Sequence, residues 1–411
     1  MSENFRRLKL GITGSLLLLI AGFSAFSQGR ITTGQLTGEV NTINSAVPFL
    51  TITPDSRGGA MGDLGAATSP DISSQHYNPA KYAFMDGDGG IALSYTPWLR
   101  NLIPDINLAY LVGYKRLDQN QVVSASFRYF SLGNIVFTDI FGSTIRDFNP
   151  NELAVDAGYS RIFGDNISGG IAFRFIRSDL TGGVNAGDAG TKAGISVSAD
   201  LSAYYQKDVD LGSKDGVLAF GTNISNIGTK ISYTENQEKS FIPINLRLGS
   251  SLKVNIDDYN SFTFAFDINK LLVPSTPYYS DSTDANNNKI ILFGKDPNVS
   301  VPQGMLQSFY DAPGIVREDG SRSVFLEELH ELTYGLGGEY WYREQFAIRG
   351  GYFYEDATKG NRKFFTMGVG LKLNVFEIDF SYLVPTHQTN PLANTLRFTL
   401  GFDFEKFRKN N

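Results

Sequence analysis

The sequence predicts an all-β membrane protein: a 14-stranded antiparallel transmembrane β-barrel whose lumen is plugged by an N-terminal segment. Three observations predict it. From residue 90 onward apolar and polar residues alternate over most of the chain, which is the period of a strand with one greasy and one wet face. The alternating segments number fourteen, and most reach the roughly 9–11 residues a tilted strand needs to cross hydrocarbon, not the roughly 5–6 typical of soluble sheets. The connections alternate between short and long, as in an outer-membrane barrel with tight turns at one end and long loops at the other.

Residues 1–27 read as a signal peptide. Arg6, Arg7 and Lys9 precede the apolar run LGITGSLLLLIAGF, and Ala25-Phe26-Ser27 supplies small residues where a signal peptidase reads, so cleavage is expected before Gln28. The run is shorter than the about 20 apolar residues of a spanning helix. With no Cys anywhere in the chain, lipidation after the leader, a disulfide scaffold, a thiolate metal site and a Cys nucleophile are all excluded. The net charge of −6 without a basic stripe argues against a nucleic-acid partner. The expected destination is the bacterial outer membrane, with the lipid bilayer as surroundings.

Residues 28–88 form an N-terminal segment that includes the plug. Its centre, SRGGAMGDLGAATSPDISSQHYNPA (56–80), spaces Gly58, Gly59, Gly62 and Gly65 closely enough to suggest a phosphate-cradling loop. That reading fails, because G-x-x-x-x-G-K-[ST] is absent, GAMGDLG is not G-x-G-x-x-G, and no βαβ unit follows. Small residues suit a short helix and loop packed on the inner wall of a barrel. Pro54 and Asp55 offer a helix start, with Asp55 or Ser56 as N-cap, and Asn78-Pro79 stops the segment just before the first strand. The expected plug residues are Arg57, Gly58, Gly59, Gly62, Asp63, Asn78, Pro79 and Ala80, with Arg57, Asp63 and Asp71 pairing with lumen charges.

Residues 89–411 form the barrel. Strands are expected near 90–97, 106–115, 121–138, 151–162, 167–178, 193–206, 216–226, 243–255, 260–270, 330–342, 345–356, 362–374, 375–385 and 394–405. In the last, Leu396, Phe398, Leu400, Phe402 and Phe404 share one face, and Arg397, Thr399, Gly401 and Asp403 the other. The wet faces predict a lumen lined by Arg128, Asp156, Arg174, Asp200, Asn223, Arg247, Asp267, Glu339, Arg349, Lys372, Asp379, Arg397 and Asp403. Buried charges of both signs imply a mutually satisfied network. The alternative, a hydrated conduit, would lack a selectivity ring of one sign. Aromatic clusters at Tyr95 to Trp98, Tyr340-Trp341-Tyr342 and Tyr352 to Tyr354 fit interfacial girdles.

Short turns such as RLDQN, FGDN and IDDY alternate with long loops such as TDIFGSTIRDFNP and SDLTGGVNAGDAGTK. The longest, 271–329, is expected to be extracellular, and loops of that length are usually functional or disordered. Within it VFLEELHEL places Phe325, Leu326, Leu329 and Leu332 at helical spacing, a short amphipathic helix leading into strand ten.

Candidate chemistry is sparse. His76, His330 and His387 have no partner at ligand spacing, and no G-x-S-x-G elbow is present. Asp281, Asp284 and Asp296 match no calcium loop. No catalytic residue, metal or cofactor is expected.

The motif R-x-x-x-M-G from Arg57 to Gly62, the Asn78-Pro79-Ala80 box and the fourteen strands resemble the FadL-type outer-membrane transport superfamily, whose N-terminal region forms a hatch inside the barrel. Three longer stretches, FLTITPDSRGGAMGDLGAATSPDISSQHYNPAKYAF, ELTYGLGGEYWYREQFAIRGGYFYEDATKGNRKFF and SYLVPTHQTNPLANTLRFTL, resemble the PorV family of the Bacteroidetes type IX secretion system. The resemblance implies a non-enzymatic outer-membrane component. Such a protein binds the C-terminal signal domain of secreted cargo at a Sov/SprA-type translocon and shuttles it to a PorU-type sortase attachment complex at the cell surface. It offers no catalytic residues to carry over. Cargo arriving from outside must meet the longer loops, so Trp98, Tyr233, Phe293, Phe309 and Tyr310 are the candidate contacts. The runner-up is a FadL-like channel for uptake of hydrophobic small molecules, against which the mixed charge of the inner wall speaks. A lipid-modifying enzyme lacks its catalytic constellation. At the C-terminus KFRKNN follows Phe404, leaving Phe404 or Phe407 as the aromatic read by the insertion machinery.

Overall fold

The computed structural model describes residues 40–100, 103, 105–138, 141–183, 190–234, 239–284, 289–317, 319–386 and 392–404. The signal peptide with its cleavage point, His387 and Phe407 lie outside the described residues.

Fourteen antiparallel strands close into a barrel. In chain order they begin with β1 (Gly89–Pro97), β2 (Ile106–Arg116) and β3 (Gln121–Leu132). A hairpin of β4 (Ile135–Thr138) and β5 (Thr144–Phe148) stands outside the barrel sheet. The wall resumes with β6 (Asn151–Gly164), β7 (Ile167–Asp179), β8 (Gly194–Asp210), β9 (Asp215–Gly228), β10 (Asn245–Asn255) and β11 (Asn260–Leu271). After an insertion carrying β12 (Tyr278–Thr283), β13 (Lys289–Phe293), β14 (Ile315–Val316) and β15 (Arg322–Ser323), it ends with β16 (Thr333–Tyr342), β17 (Phe346–Tyr354), β18 (Lys363–Leu373), β19 (Phe376–Pro385) and β20 (Leu396–Asp403). Pairing of β1 with β20, from Gly90 opposite Asp403 to Tyr95 opposite Phe398, closes the ring. Closure leaves no wall strand with an open edge, the condition under which strands can cross a bilayer.

Several expected strands come out shorter at their ends, and for two of them the cause is visible. The third ends at Leu132, because Gly133 takes a left-handed conformation (φ 87°) that a residue with a Cβ avoids, and the chain turns into the β4–β5 hairpin. The tenth begins at Thr333, because the helix Val324–His330 occupies the residues before it.

The faces follow the alternation. On β11, Phe262 and Phe264 point out while Thr263, Ala265 and Asp267 are buried; on β20, Phe398 and Leu400 point out while Arg397 and Thr399 are buried. The outward residues of neighbouring strands form a continuous apolar belt, including Phe127, Phe173, Phe220, Ile348, Val369 and Ile378. Soluble monomers rarely expose a contiguous apolar patch beyond a few hundred Å², so the belt requires lipid. Tyr95 lies toward the loop end of β1 and Tyr342 at the turn end of β16, both exposed, as girdles at two interfaces require. No helix among the described residues is long and apolar enough to cross a membrane.

The barrel is filled by its own N-terminal segment. Near the loop end, the amide of Ala46 donates to Phe241 O at 2.8 Å, and Phe49, in the 3-10 turn Pro48–Thr51, stacks on Phe130 with centroids 6.2 Å apart. These residues pack with Val47, Ile106, Ile176, Ile242 and Leu272 into the largest apolar cluster. The chain then descends through the helices Ser56–Ala60 and Ser74–Tyr77 and the 3-10 turn Pro79–Phe84 to the turn end, where β1 begins.

Candidate functional site

Asp55 caps the helix Ser56–Ala60: its Oδ2 accepts from Gly58 N at 2.9 Å and its Oδ1 from the Tyr77 hydroxyl at 2.6 Å. Arg57 leaves that helix toward the wall. Its Nε and Nη2 donate to the two oxygens of Glu339 on β16 at 2.9 and 2.7 Å, and its Nη1 donates to Asp71 at 2.7 Å. Glu339 also accepts from Arg349 Nε on β17 at 2.7 Å, and Arg349 continues to Asp379 on β19. One chain of alternating charge therefore runs from the plug along side chains of β16, β17 and β19, passing over β18. Asp63 lies 3.3 Å from Arg397 Nη2 on β20. Asp267 on β11 accepts from the amides of Gly65 and Ala66 at 2.8 and 2.9 Å. Such charges tolerate burial only because partners and hydrogen bonds replace water.

The Asn78-Pro79-Ala80 box fastens the lower plug. Asn78 Nδ2 donates to Ala66 O at 2.9 Å and Ala203 O at 3.0 Å, while its Oδ1 accepts from Ala80 N at 3.1 Å. Pro79 opens the 3-10 turn, and Ala80 O accepts from Ser168 Oγ at 2.7 Å.

Small residues are needed on both sides of this contact. A Cβ at Gly58 would overlap the Tyr77 ring, and one at Gly59 would come within 2.7 Å of Arg397. Gly62 has a left-handed backbone (φ 79°) beside the carbonyls of β16 and β17. On the wall, a Cβ at Gly221 would strike the Ala66 carbonyl, and one at Gly351 the backbone of Met61 and Gly62. Sequence reasoning singled out the plug glycines and missed those of the wall. Their signal was glycine at inward positions of GGEY and RGGY, where a polar lumen residue would otherwise stand.

The inward residues expected from alternation are brought together. Arg174 Nε meets Asp156 at 2.6 Å and its Nη2 meets Asp200 at 3.1 Å. Arg128 Nη1 donates to Leu50 O at 2.9 Å, and its Nη2 pairs with His76 Nδ1 at 2.8 Å. Asn223 Nδ2 donates to Tyr77 O at 3.0 Å, and Arg247 stacks over the Tyr77 ring at 5.0 Å. Lys372 and Asp403 sit apart from these, at the turn-end rim with Pro70, Ile72 and Met85.

The described residues of 272–332 cap the loop end. The expected helix forms over Val324–His330, with Ser323 as N-cap accepting from Leu326 N at 3.4 Å. Its orientation is the reverse of an ordinary amphipathic helix. Glu327, Glu328 and Glu331 are buried, whereas Phe325 is 69% and Leu329 40% exposed. The cause is a pair of lysines beneath it. Lys270 Nζ donates to Glu328 at 2.9 Å and Glu331 at 2.7 Å; Lys359 Nζ donates to Glu327 at 2.7 Å and Glu331 at 3.0 Å. Burial, and then the neighbouring Glu328, push the carboxyl of Asp311 up to about 7. Burial and Glu331 raise Glu328 as well. Burial also acts on Glu331, but Lys359 and Lys270 outweigh it and hold that carboxyl below its ordinary range.

Of the candidate contact residues, Phe293, Phe309 and Tyr310 are exposed on the cap, the first beneath Arg322 and the last beneath Lys295. Trp98 and Tyr233 instead pack, half-buried, on the apolar cluster at the mouth, and the Tyr233 hydroxyl donates to Ser178 Oγ at 2.9 Å. His330 lies 3.3 Å from Asp356, and Phe404 is exposed at the end of β20. Among the described residues no group of three His, Cys, Asp or Glu is placed to hold a metal.

Solved structures similar to this chain include the toluene transporter TodX of Pseudomonas putida, at 12% identity over 88% of this chain and 97% of that one, with a TM-score of 0.44. A FadL homologue of Pseudomonas aeruginosa aligns at 12% identity over 89% and 99%, with a TM-score of 0.41. The toluene transporter TbuX of Ralstonia pickettii aligns at 11% over 85% and 97%, with a TM-score of 0.41. A search of curated proteins returns no match. The family described as type IX secretion system protein PorV matches residues 35–278, more than half of the chain. A closed barrel with a lipid-facing belt, its lumen filled by the N-terminal segment, is thus joined to a family match, and the chain belongs to the PorV family of outer-membrane type IX secretion components.

Proposed function

We propose that this protein captures the C-terminal signal domain of secreted cargo on its cap as the cargo leaves a Sov/SprA-type translocon. It then delivers the cargo to a PorU-type sortase attachment complex. Short turns of outer-membrane barrels face the periplasm, so the cap stands on the cell surface, where cargo emerges. The observation that carries the reading is the inverted helix Val324–His330. It spends its acidic face on Lys270 and Lys359 and offers Phe325 and Leu329 to solvent, beside a cap that also exposes Leu306, Phe309 and Tyr310. Exposed apolar residues grouped on a rigid, ion-paired support are the usual form of a protein-docking surface. The role needs no catalytic group and no open lumen, and the plug's buried ion pairs favour a barrel that serves as a platform.

The test is a photo-crosslinking amino acid at Phe325 or Leu306 in the native outer membrane. Adducts with cargo signal domains are expected. Absence of adducts at both positions, with normal cargo secretion in a deletion strain and impaired uptake of hydrophobic compounds, would replace this reading with the channel.

A further inference from the structure

The N-terminal chain breaks the surface of the cap at one defined point. Asn41 is 6% exposed and the preceding Val40 54%. Asn41 is held at the loop end: its amide donates to Thr358 O at 2.9 Å, and its Nδ2 donates to Thr276 O at 3.1 Å and to Glu327 Oε1 at 3.0 Å. We propose that residues 28–39, which lie outside the described residues, are a cell-surface strap. It covers the apolar face of the helix Val324–His330, so that cargo has to displace it, a regulation that rests on the reading of the cap as the cargo-docking surface.

Asn41 is bonded to the very helix whose apolar side stands uncovered. Glu327 Oε1, which accepts from Asn41, also accepts from Lys359 Nζ at 2.7 Å. Asn41 thus belongs to the polar support that turns the acidic stripe of the helix inward. Thr358, which accepts from the Asn41 amide, brings its hydroxyl to 3.5 Å from His330 Nδ1 at the other end of the helix. From Ala46 onward the chain descends through the lumen to the turn end, so the residues before Asn41 depart from the opposite end, beside Phe325 and Leu329.

Length and chemistry fit that occupant. Residues 28–39 span at most about 40 Å when extended, whereas the helix, seven residues long, measures about 10 Å. In QGRITTGQLTGEV (28–40) the apolar side chains are Ile31, Leu36 and Val40, spaced by Thr, Gly and Gln. They are too few to build a core of their own and match a patch of similar size, Phe325 and Leu329 with the exposed Val324 beside them. Tethering at Asn41 holds the segment at an effective concentration in the millimolar range. A weak apolar contact is therefore enough to occupy the patch, and a cargo domain with more anchors can displace it.

Because the chain has no Cys, an introduced pair reports without background. In the full-length protein in the native outer membrane, Leu36→Cys with Phe325→Cys is expected to form an intramolecular disulfide on mild oxidation, read by mass spectrometry of the linked peptides. Leu36→Cys with Tyr342→Cys, at the turn end, is expected to form none. Ile31→Asp with Leu36→Asp leaves the barrel, the plug and the expected cleavage point unaltered. It should raise cargo adducts at a photo-crosslinking amino acid in place of Phe325 about threefold or more, the gain from removing a tethered competitor. No disulfide between positions 36 and 325, linkage to position 342, a disulfide joining two copies, or cargo adducts that form but do not rise in the double Asp variant would overturn the strap. Cargo adducts without the 36–325 disulfide would remove the strap alone. The disulfide without a cargo adduct in either protein would uphold the strap as a cover and remove the docking reading.

Discussion

Arg57 of the plug and Glu339 of β16 meet through two hydrogen bonds, at 2.9 and 2.7 Å, although 282 positions separate them in the chain. Both are almost wholly shielded from solvent. Removing one member of such a pair leaves the other buried and uncompensated, which costs about 3–5 kcal/mol. Arg57→Ala is expected to lower the urea midpoint of the barrel in lipid vesicles by a corresponding amount. Arg57→Lys keeps the charge but loses the fork and should recover only part of it. Equal stability of all three proteins would mean that the plug is not held through this pair.

Adjacent glycines on β17 provide a sharper contrast. A Cβ at Gly351 would overlap the plug backbone, whereas one at Gly350 would find its nearest neighbour, Thr366 O, at 3.9 Å. Gly351→Val should displace the plug and expose residues 61–67 to protease. Gly350→Ala should leave the digestion pattern unchanged.

The cap should loosen as pH rises. The folded state raises the carboxyl of Asp311 from an ordinary 3.8 to about 7, through burial and then Glu328. A raised acid contributes stability that is fully present below the unfolded value and is lost as pH climbs through the folded one. Asp311 charges between pH 6 and 8 beside Glu328 and Glu331, carboxylates that Lys270 and Lys359 already bridge together with Glu327. Amide hydrogen exchange in residues 311–331, corrected for intrinsic rates, should therefore speed up from pH 6 to pH 8. Asp311→Asn should flatten that dependence.

Phe309 and Phe325, 49% and 69% exposed, can be changed without opening a core. Phe309→Asp combined with Phe325→Asp should alter folded stability by no more than about 0.5 kcal/mol each. It should reduce co-purification of cargo signal domains at least tenfold, as loss of apolar anchors does at a docking surface. Unchanged co-purification would remove these residues from the contact.

Much of the architecture was legible because strand alternation is a local property. Successive side chains point to opposite faces, so TLRFTLGFDF and FTFAFDIN declare their lipid and lumen faces without reference to any other segment. The Asp55 cap and the Asn78-Pro79 stop were equally local, set by side-chain groups a few positions from the backbone they bond. The end of β3 at Gly133 was less legible, because a glycine inside a strand pattern adopts a left-handed turn only where the following hairpin leaves the wall.

What sequence by itself determined was therefore the number of strands, their faces, and a plug rich in small residues before the first of them. Tertiary structure alone decided the partners. Barrel closure carries Glu339, Asp267 and Arg397 to residues of the plug that lie hundreds of positions away, and no periodicity records which charge meets which. The cap helix makes the same point: VFLEELHEL has an apolar and an acidic stripe, and spacing cannot say which turns inward. Lys270 and Lys359, supplied from elsewhere in the chain, turn the acidic stripe in.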